Sequence, residues 1–135
     1  MEKSIYTLIP DIHALFQNEY KEPSEENLEA LCDSIVQEVK TALRESGKPR
    51  EFTLRMSNIG TPDRKLYLES KDPNYGLQSP QNHLKFLFGH IVEAILVFLA
   101  KEAGHTVADF QKQIIKEGVK GHTDGRIDGV PMDIK

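Results

Sequence analysis

Between Ser79 and Gly104 the chain spells out one long helix that has to find cover elsewhere in the fold. Ser79 suits an N-cap, Pro80 the first helical position, and Gly104 a stop. Ile91 to Ala100 is apolar over most of the helix surface, so the spacing predicts a central, buried helix. One residue disputes that burial. Glu93 lies inside the most apolar run of the chain, and a buried carboxylate without a partner is expensive. His90, nearly one turn earlier, shares its face.

Past Gly104 the periodicity changes to short extended runs: His105 to Gln111, Gln113 to Lys116, Val119 to Ile127 and Val130 to Lys135. Asp128-Gly129 is a two-residue hairpin signal, which sets a register. Ile127 then faces Val130, Arg126 faces Pro131, and Gly125 faces Met132. Continuing outward, Asp124 falls opposite Asp133 and His122 opposite Lys135. Side chains alternate along a strand, so His122, Asp124, Asp133 and Lys135 are expected on one face. Two carboxylates facing each other repel, and a hard divalent cation removes that repulsion. A lysine beside such an ion can orient water and stabilise charge on a phosphate. Glu93 adds a third carboxylate from the helix. Taken singly, each residue has an ordinary reading: Asp124 a turn, Asp133 and Lys135 a solvated strand face, Glu93 a salt bridge. The histidines His90, His105 and His122 suit packing or hydrogen bonding better than ligation.

The first half of the chain is helical in pattern. Ser4 to Gln17 forms a short helix that Pro10 starts or interrupts. Leu28, Leu31, Ile35, Val36, Val39 and Leu43 recur at helical spacing between the N-cap candidate Ser24 and the breakers Gly47 and Pro49. Glu51 to Ser57 reads as extended. A turn-rich stretch leads to a brief helix from Pro62 to about Glu69, and Lys71 to Gln78 is a loop.

The formal net charge is -4, so any contact with nucleic acid must use a local patch or a bound cation. Cys32 is the single cysteine, which excludes an internal disulfide and suits a reducing cytosol. Met1-Glu2-Lys3 opens into a mixed polar segment rather than a signal peptide. Ile91 to Ala100 is too short to span a bilayer, so no membrane association is expected.

At Gly89-His90-Ile91-Val92-Glu93, Gly121-His122-Thr123-Asp124-Gly125 and Asp133-Ile134-Lys135 the chain resembles the PD-(D/E)xK nuclease superfamily, in its RecB-like and phage (lambda-type) exonuclease-like branch. Leu54 to Gly60 and Arg64 to Tyr67 resemble the serine-containing entry segment of these nucleases. Thr61 and Pro62 stand where some relatives carry an iron–sulfur cysteine, so no cluster is expected. The resemblance implies an α/β (α+β) restriction-endonuclease-like mixed sheet flanked by helices. Residues 1–50 would be an N-terminal helical segment. Residues 51–135 would be the N-terminal part of the nuclease core, its later strands and helix missing, which leaves the 135-residue chain short of a complete active enzyme.

The resemblance also implies Mg²⁺ or Mn²⁺ held by Glu93, Asp124, Asp133 and the carbonyl of Ile134, with Lys135 positioning water. Arg64, with Ser57 nearby, suits a phosphate contact and equally a surface helix charge. The expected function is metal-dependent DNA hydrolysis, as an exonuclease in phage-type recombination, repair or DNA processing, in the cytoplasm of a bacterium or phage-infected host. DNA is the expected partner, with a second copy or a recombination protein compatible. The alternatives are a structure-specific or restriction-like endonuclease and a non-catalytic DNA-end-binding subunit.

Overall fold

The structure is a computed structural model and describes residues 3–17 and 19–134. Four helices precede a set of short strands, a mixed α+β arrangement with antiparallel sheets. Helix α1 is Leu8–Gln17, entered through a 3-10 turn at Ile5–Thr7. Pro10 falls in its first turn, where a missing N–H costs nothing. Helix α2 is Glu25–Glu45, α3 is Asp63–Lys71 and α4 is Pro80–Glu102.

Both ends of α4 follow the expected signals. The Ser79 hydroxyl accepts from the Asn82 amide at 3.3 Å, and Gly104 takes a φ of +86° just past the C-cap Ala103. Helix α2 packs along α4, with Ala94 and Ala100 among the buried residues of that helix. At one end of the pair Glu102 Oε1 accepts from the Ser24 amide at 3.1 Å and from Asn27 Nδ2 at 2.7 Å. The start of α2 is therefore tied to the last turn of α4.

The expectation of a central, buried α4 fails. Leu84, Phe86, Phe88 and Val92 are each more than half exposed, because α2, α1 and β1 contact only part of the helix circumference. Taken whole, Pro80–Glu102 is also long and apolar enough, by length and composition, to cross a membrane, with a mean hydropathy of 1.7 over its most apolar stretch. The shorter run Ile91 to Ala100 concealed this by leaving out Leu84, Phe86, Leu87 and Phe88. A core helix meets the same criterion.

Strands β1 (Val107–Ala108), β4 (Gly125–Ile127) and β5 (Val130–Met132) form an antiparallel sheet in the order β1-β4-β5. Strands β2 (Gln113–Lys116) and β3 (Val119–His122) form a separate hairpin. The register expected around Asp128-Gly129 is present: Ile127 pairs Val130, Arg126 pairs Pro131 and Gly125 pairs Met132. Asp128 and Gly129 have φ of 50° and 80°, the two positive values that a tight hairpin turn requires.

Two extended runs come out differently. Val119 to Ile127 is not one strand: it breaks between His122 and Gly125, where Gly125 adopts a φ of +151° that favours glycine. His105 to Gln111 keeps only two strand residues, since Asp109 and Gln111 turn to φ of 51° and 52°. Glu51 to Ser57, read as a short strand or an extended entry, forms no strand but an irregular segment that touches β3 through a parallel bridge between Arg55 and Lys120, followed by a 3-10 turn at Met56–Asn58.

Ala100 is 1% exposed. Ala100→Leu inserts three carbons at this contact and is expected to lower stability by about 1–3 kcal/mol, read as an earlier urea midpoint with an unchanged slope.

Candidate functional site

Glu93 is 13% exposed at its side chain, and its carboxylate is held from two sides. Oε1 accepts from Gln111 Nε2 at 3.1 Å, and Oε2 lies 3.6 Å from His90 Nδ1. The positive φ of Gln111 turns the chain back toward α4 after β1. Gln111 is a partner that sequence reasoning missed, because nothing in the local pattern of a glutamine in an extended run points to a helix 18 residues away.

Asp124 stands in the break between β3 and β4, and its Oδ2 accepts from the Ile134 amide at 3.2 Å. The paired β4–β5 register ends at Gly125 and Met132, and this side-chain-to-backbone bond reaches one residue past Asp133, the partner expected for Asp124. Asp133, exposed, lies between Met132 and that amide. Ile134 in turn lines a cavity of about 440 Å³ together with His90, Glu93, Val92 and Leu96. Ile134 is the link between Asp124 and Glu93: its amide is bonded to Asp124 and it lines the cavity with Glu93, a cavity that neither Asp124 nor Asp133 lines.

Other expectations need correction or fall elsewhere. His122 does not continue the face of Asp124 and Asp133; it pairs with Gln113 across the β2–β3 hairpin because the strand breaks after it. Ser57 lies in the exposed 3-10 turn and Arg64 on the exposed first turn of α3, and neither lines the cavity that holds Glu93. Lys135 lies outside the described residues.

Two acidic residues not singled out in the sequence also approach Glu93. Asp33 and Glu38 of α2 line with it a second cavity of about 340 Å³. Their helical spacing marks them as a solvated face, and only the α2–α4 contact reveals their neighbour. For a divalent cation the donor chemistry fits, since carboxylates and a backbone carbonyl are hard oxygen ligands. The spacing is looser than a closed coordination sphere: among the described residues no three His, Cys, Asp or Glu side chains are gathered closely enough to hold a metal ion.

His105 is the other feature the sequence undersold. Its side chain is fully enclosed, with Nδ1 2.6 Å from Asp128 Oδ2 and Nε2 3.1 Å from Asp11 Oδ2. Asp128, expected only to make a turn, also accepts from the Thr106 amide at 3.0 Å. The hydrogen bond from His105 holds the Asp128 carboxyl below the usual range, and the Lys3 ammonium does the same for Asp11. This cluster joins α1 to the β4–β5 turn, with His105 enclosed and Asp11 and Lys3 at the wall of a cavity of about 540 Å³.

No protein-family model matches the chain, and no curated protein or solved structure matches it.

Carboxyls with depressed folded-state pKa values stabilise the fold above their unfolded pKa, near 3.8, and that stability drains away as pH falls toward the lower folded values. Urea midpoints measured between pH 6 and pH 3 are expected to drop for the native chain. Asp128→Asn keeps a residue that tolerates positive φ while removing the charge, so its midpoint should start lower and vary less over the same range.

Proposed function

We propose that the chain carries the catalytic centre of a divalent-metal-dependent deoxyribonuclease of restriction-endonuclease-like fold, acting as an exonuclease. The observation that supports this most is that Ile134, whose amide is bonded to Asp124, lines one cavity with Glu93. Ile134 thereby links the Asp124 carboxylate to the cavity that Glu93 lines, which supports a shared centre.

Glu93, Asp124, Asp133 and the Ile134 carbonyl would hold Mg²⁺ or Mn²⁺, which when bound would supply positive charge to polarise a phosphoryl oxygen. Gln111 and His90 fix the Glu93 carboxylate and limit its rotation. The Asp124–Ile134 bond holds the strand end against the break at Gly125, so Asp133 is carried to the same edge. Asp33 and Glu38 strengthen the negative field that draws a cation in. Lys135, which follows Ile134 directly, orients the attacking water, the role the resemblance implies for it. Ser57 and Arg64 serve DNA away from the Glu93 cavity.

Linear and closed circular DNA incubated with the protein and Mg²⁺ or Mn²⁺ test the reading. Linear DNA should be degraded and closed circles left intact; nicking of circles would favour an endonuclease. Glu93→Gln and Asp124→Asn should each lower cleavage by about a hundredfold or more. Full cleavage by either variant would remove that residue from the centre, and unchanged cleavage by Lys135→Ala would remove the lysine.

A further inference from the structure

A second concave surface differs from the rest of the molecule in charge. With 17 basic and 21 acidic residues, the chain is acidic overall. Yet Lys48, Arg50, Arg55, Lys120 and His122 line one groove of about 590 Å³, against only two carboxylates, Glu45 and Glu51. Arg50 is engaged with Glu45 at 3.3 Å. Lys48, Arg55 and Lys120 make no ion pair among the described residues, which leaves the groove net positive.

Three features separate this groove from an ordinary solvated charged face. First, its cations come from three segments: the stretch after α2, the irregular segment after it, and β3. Second, backbone hydrogen bonds hold those segments in place. The Arg50 amide donates to the Tyr75 carbonyl at 2.7 Å, and the Lys120 amide donates to the Leu54 carbonyl at 2.9 Å. Phe52 packs edge-on against Tyr75 with centroids 5.1 Å apart. Like charges on such a frame repel one another unless an anion enters, so a preformed cationic groove favours an anionic ligand.

Third, the groove adjoins the acidic edge. Gln113 and His122, which pair across β2–β3, line the groove. Two residues before Gln113 is Gln111, the donor to Glu93, and two residues after His122 is Asp124. Two residues of chain span at most about 7 Å. The Thr123 amide donates to the Lys112 carbonyl at 3.0 Å, which locks the two links together.

We infer that this groove is the binding track for a DNA strand, contacting its phosphates through Lys48, Arg55 and Lys120 and leading it to the Glu93–Asp124 edge. The inference rests on the nuclease reading for its direction, while the groove itself is an anion site whether or not cleavage occurs. Among the described residues its lining contains no Phe, Tyr or Trp, so binding goes through phosphates rather than stacked bases and does not depend on sequence. A folded protein or peptide partner with an acidic surface is the rival occupant.

Fluorescence anisotropy with a labelled single-stranded DNA oligonucleotide of mixed sequence, in EDTA, measures binding apart from cleavage. Binding should weaken steeply with salt. The triple variant Lys48→Ala, Arg55→Ala, Lys120→Ala should flatten the log–log salt slope by about 2, from roughly 0.7 per lost phosphate contact. A control that removes three other cations, Lys40→Ala, Lys65→Ala and Lys116→Ala, should retain the native slope. Circular dichroism and urea unfolding of both variants verify the fold. Equal slopes for the triple variant and the native chain, equal losses in both variants, or no binding by the native chain would each overturn the inference. Groove-dependent binding without any cleavage in Mg²⁺ would uphold the groove and overturn the nuclease reading. Cleavage with binding that ignores the groove would do the reverse.

Discussion

The turn at Asp128 does two things at once, and the placement of the acidic edge depends on both. Its positive φ, followed by that of Gly129, closes the β4–β5 hairpin in a single register. Its carboxylate takes the Nδ1 side of the enclosed His105, whose other nitrogen meets Asp11 of α1. Both ring nitrogens of His105 are thus engaged by carboxylates. The N-terminal helix, the exit from α4 and the last hairpin are thereby fastened at one point. From it the register runs outward to Gly125 and Met132, beyond which Asp124 accepts from the Ile134 amide.

Electrostatics organises the surface around that anchor. Carboxylates from α2, α4 and the β3–β4 break gather on one side, where Glu93 shares cavities with Ile134 and with Asp33 and Glu38. Uncompensated cations gather on the other side of the β2–β3 hairpin. Under the proposed function, the cationic side would retain the polyanion and the acidic side would hold a cation over a single phosphate.

Local chemistry made the helix limits and the last hairpin legible in the sequence. Ser79, Pro80 and Gly104 bracket α4 through capping and breaking, and Asp128-Gly129 sets the strand register through the conformation it prefers. The break after His122 was legible only as the ordinary turn reading of Asp124, because a Gly in an extended run reads equally as strand and its φ of +151° is a tertiary outcome. The exposure of α4 was not legible either, since periodicity reports which face is apolar and not what covers it. Within the site, Glu93 and Asp124 stood out as costly or repulsive charges. Gln111, Asp33 and Glu38 did not, because their significance comes only from packing between distant segments.

The central claim is that one divalent cation binds at the edge formed by Glu93, Asp124, Asp133 and Ile134. Paramagnetic broadening by Mn²⁺ in the amide spectrum of the isotopically labelled chain tests it without relying on activity. The account predicts that substoichiometric Mn²⁺ broadens the amides around Glu93, Asp124 and Ile134 first, that Mg²⁺ competes, and that Asp124→Asn weakens the effect. Broadening confined to other acidic positions, or none at this edge, would contradict it.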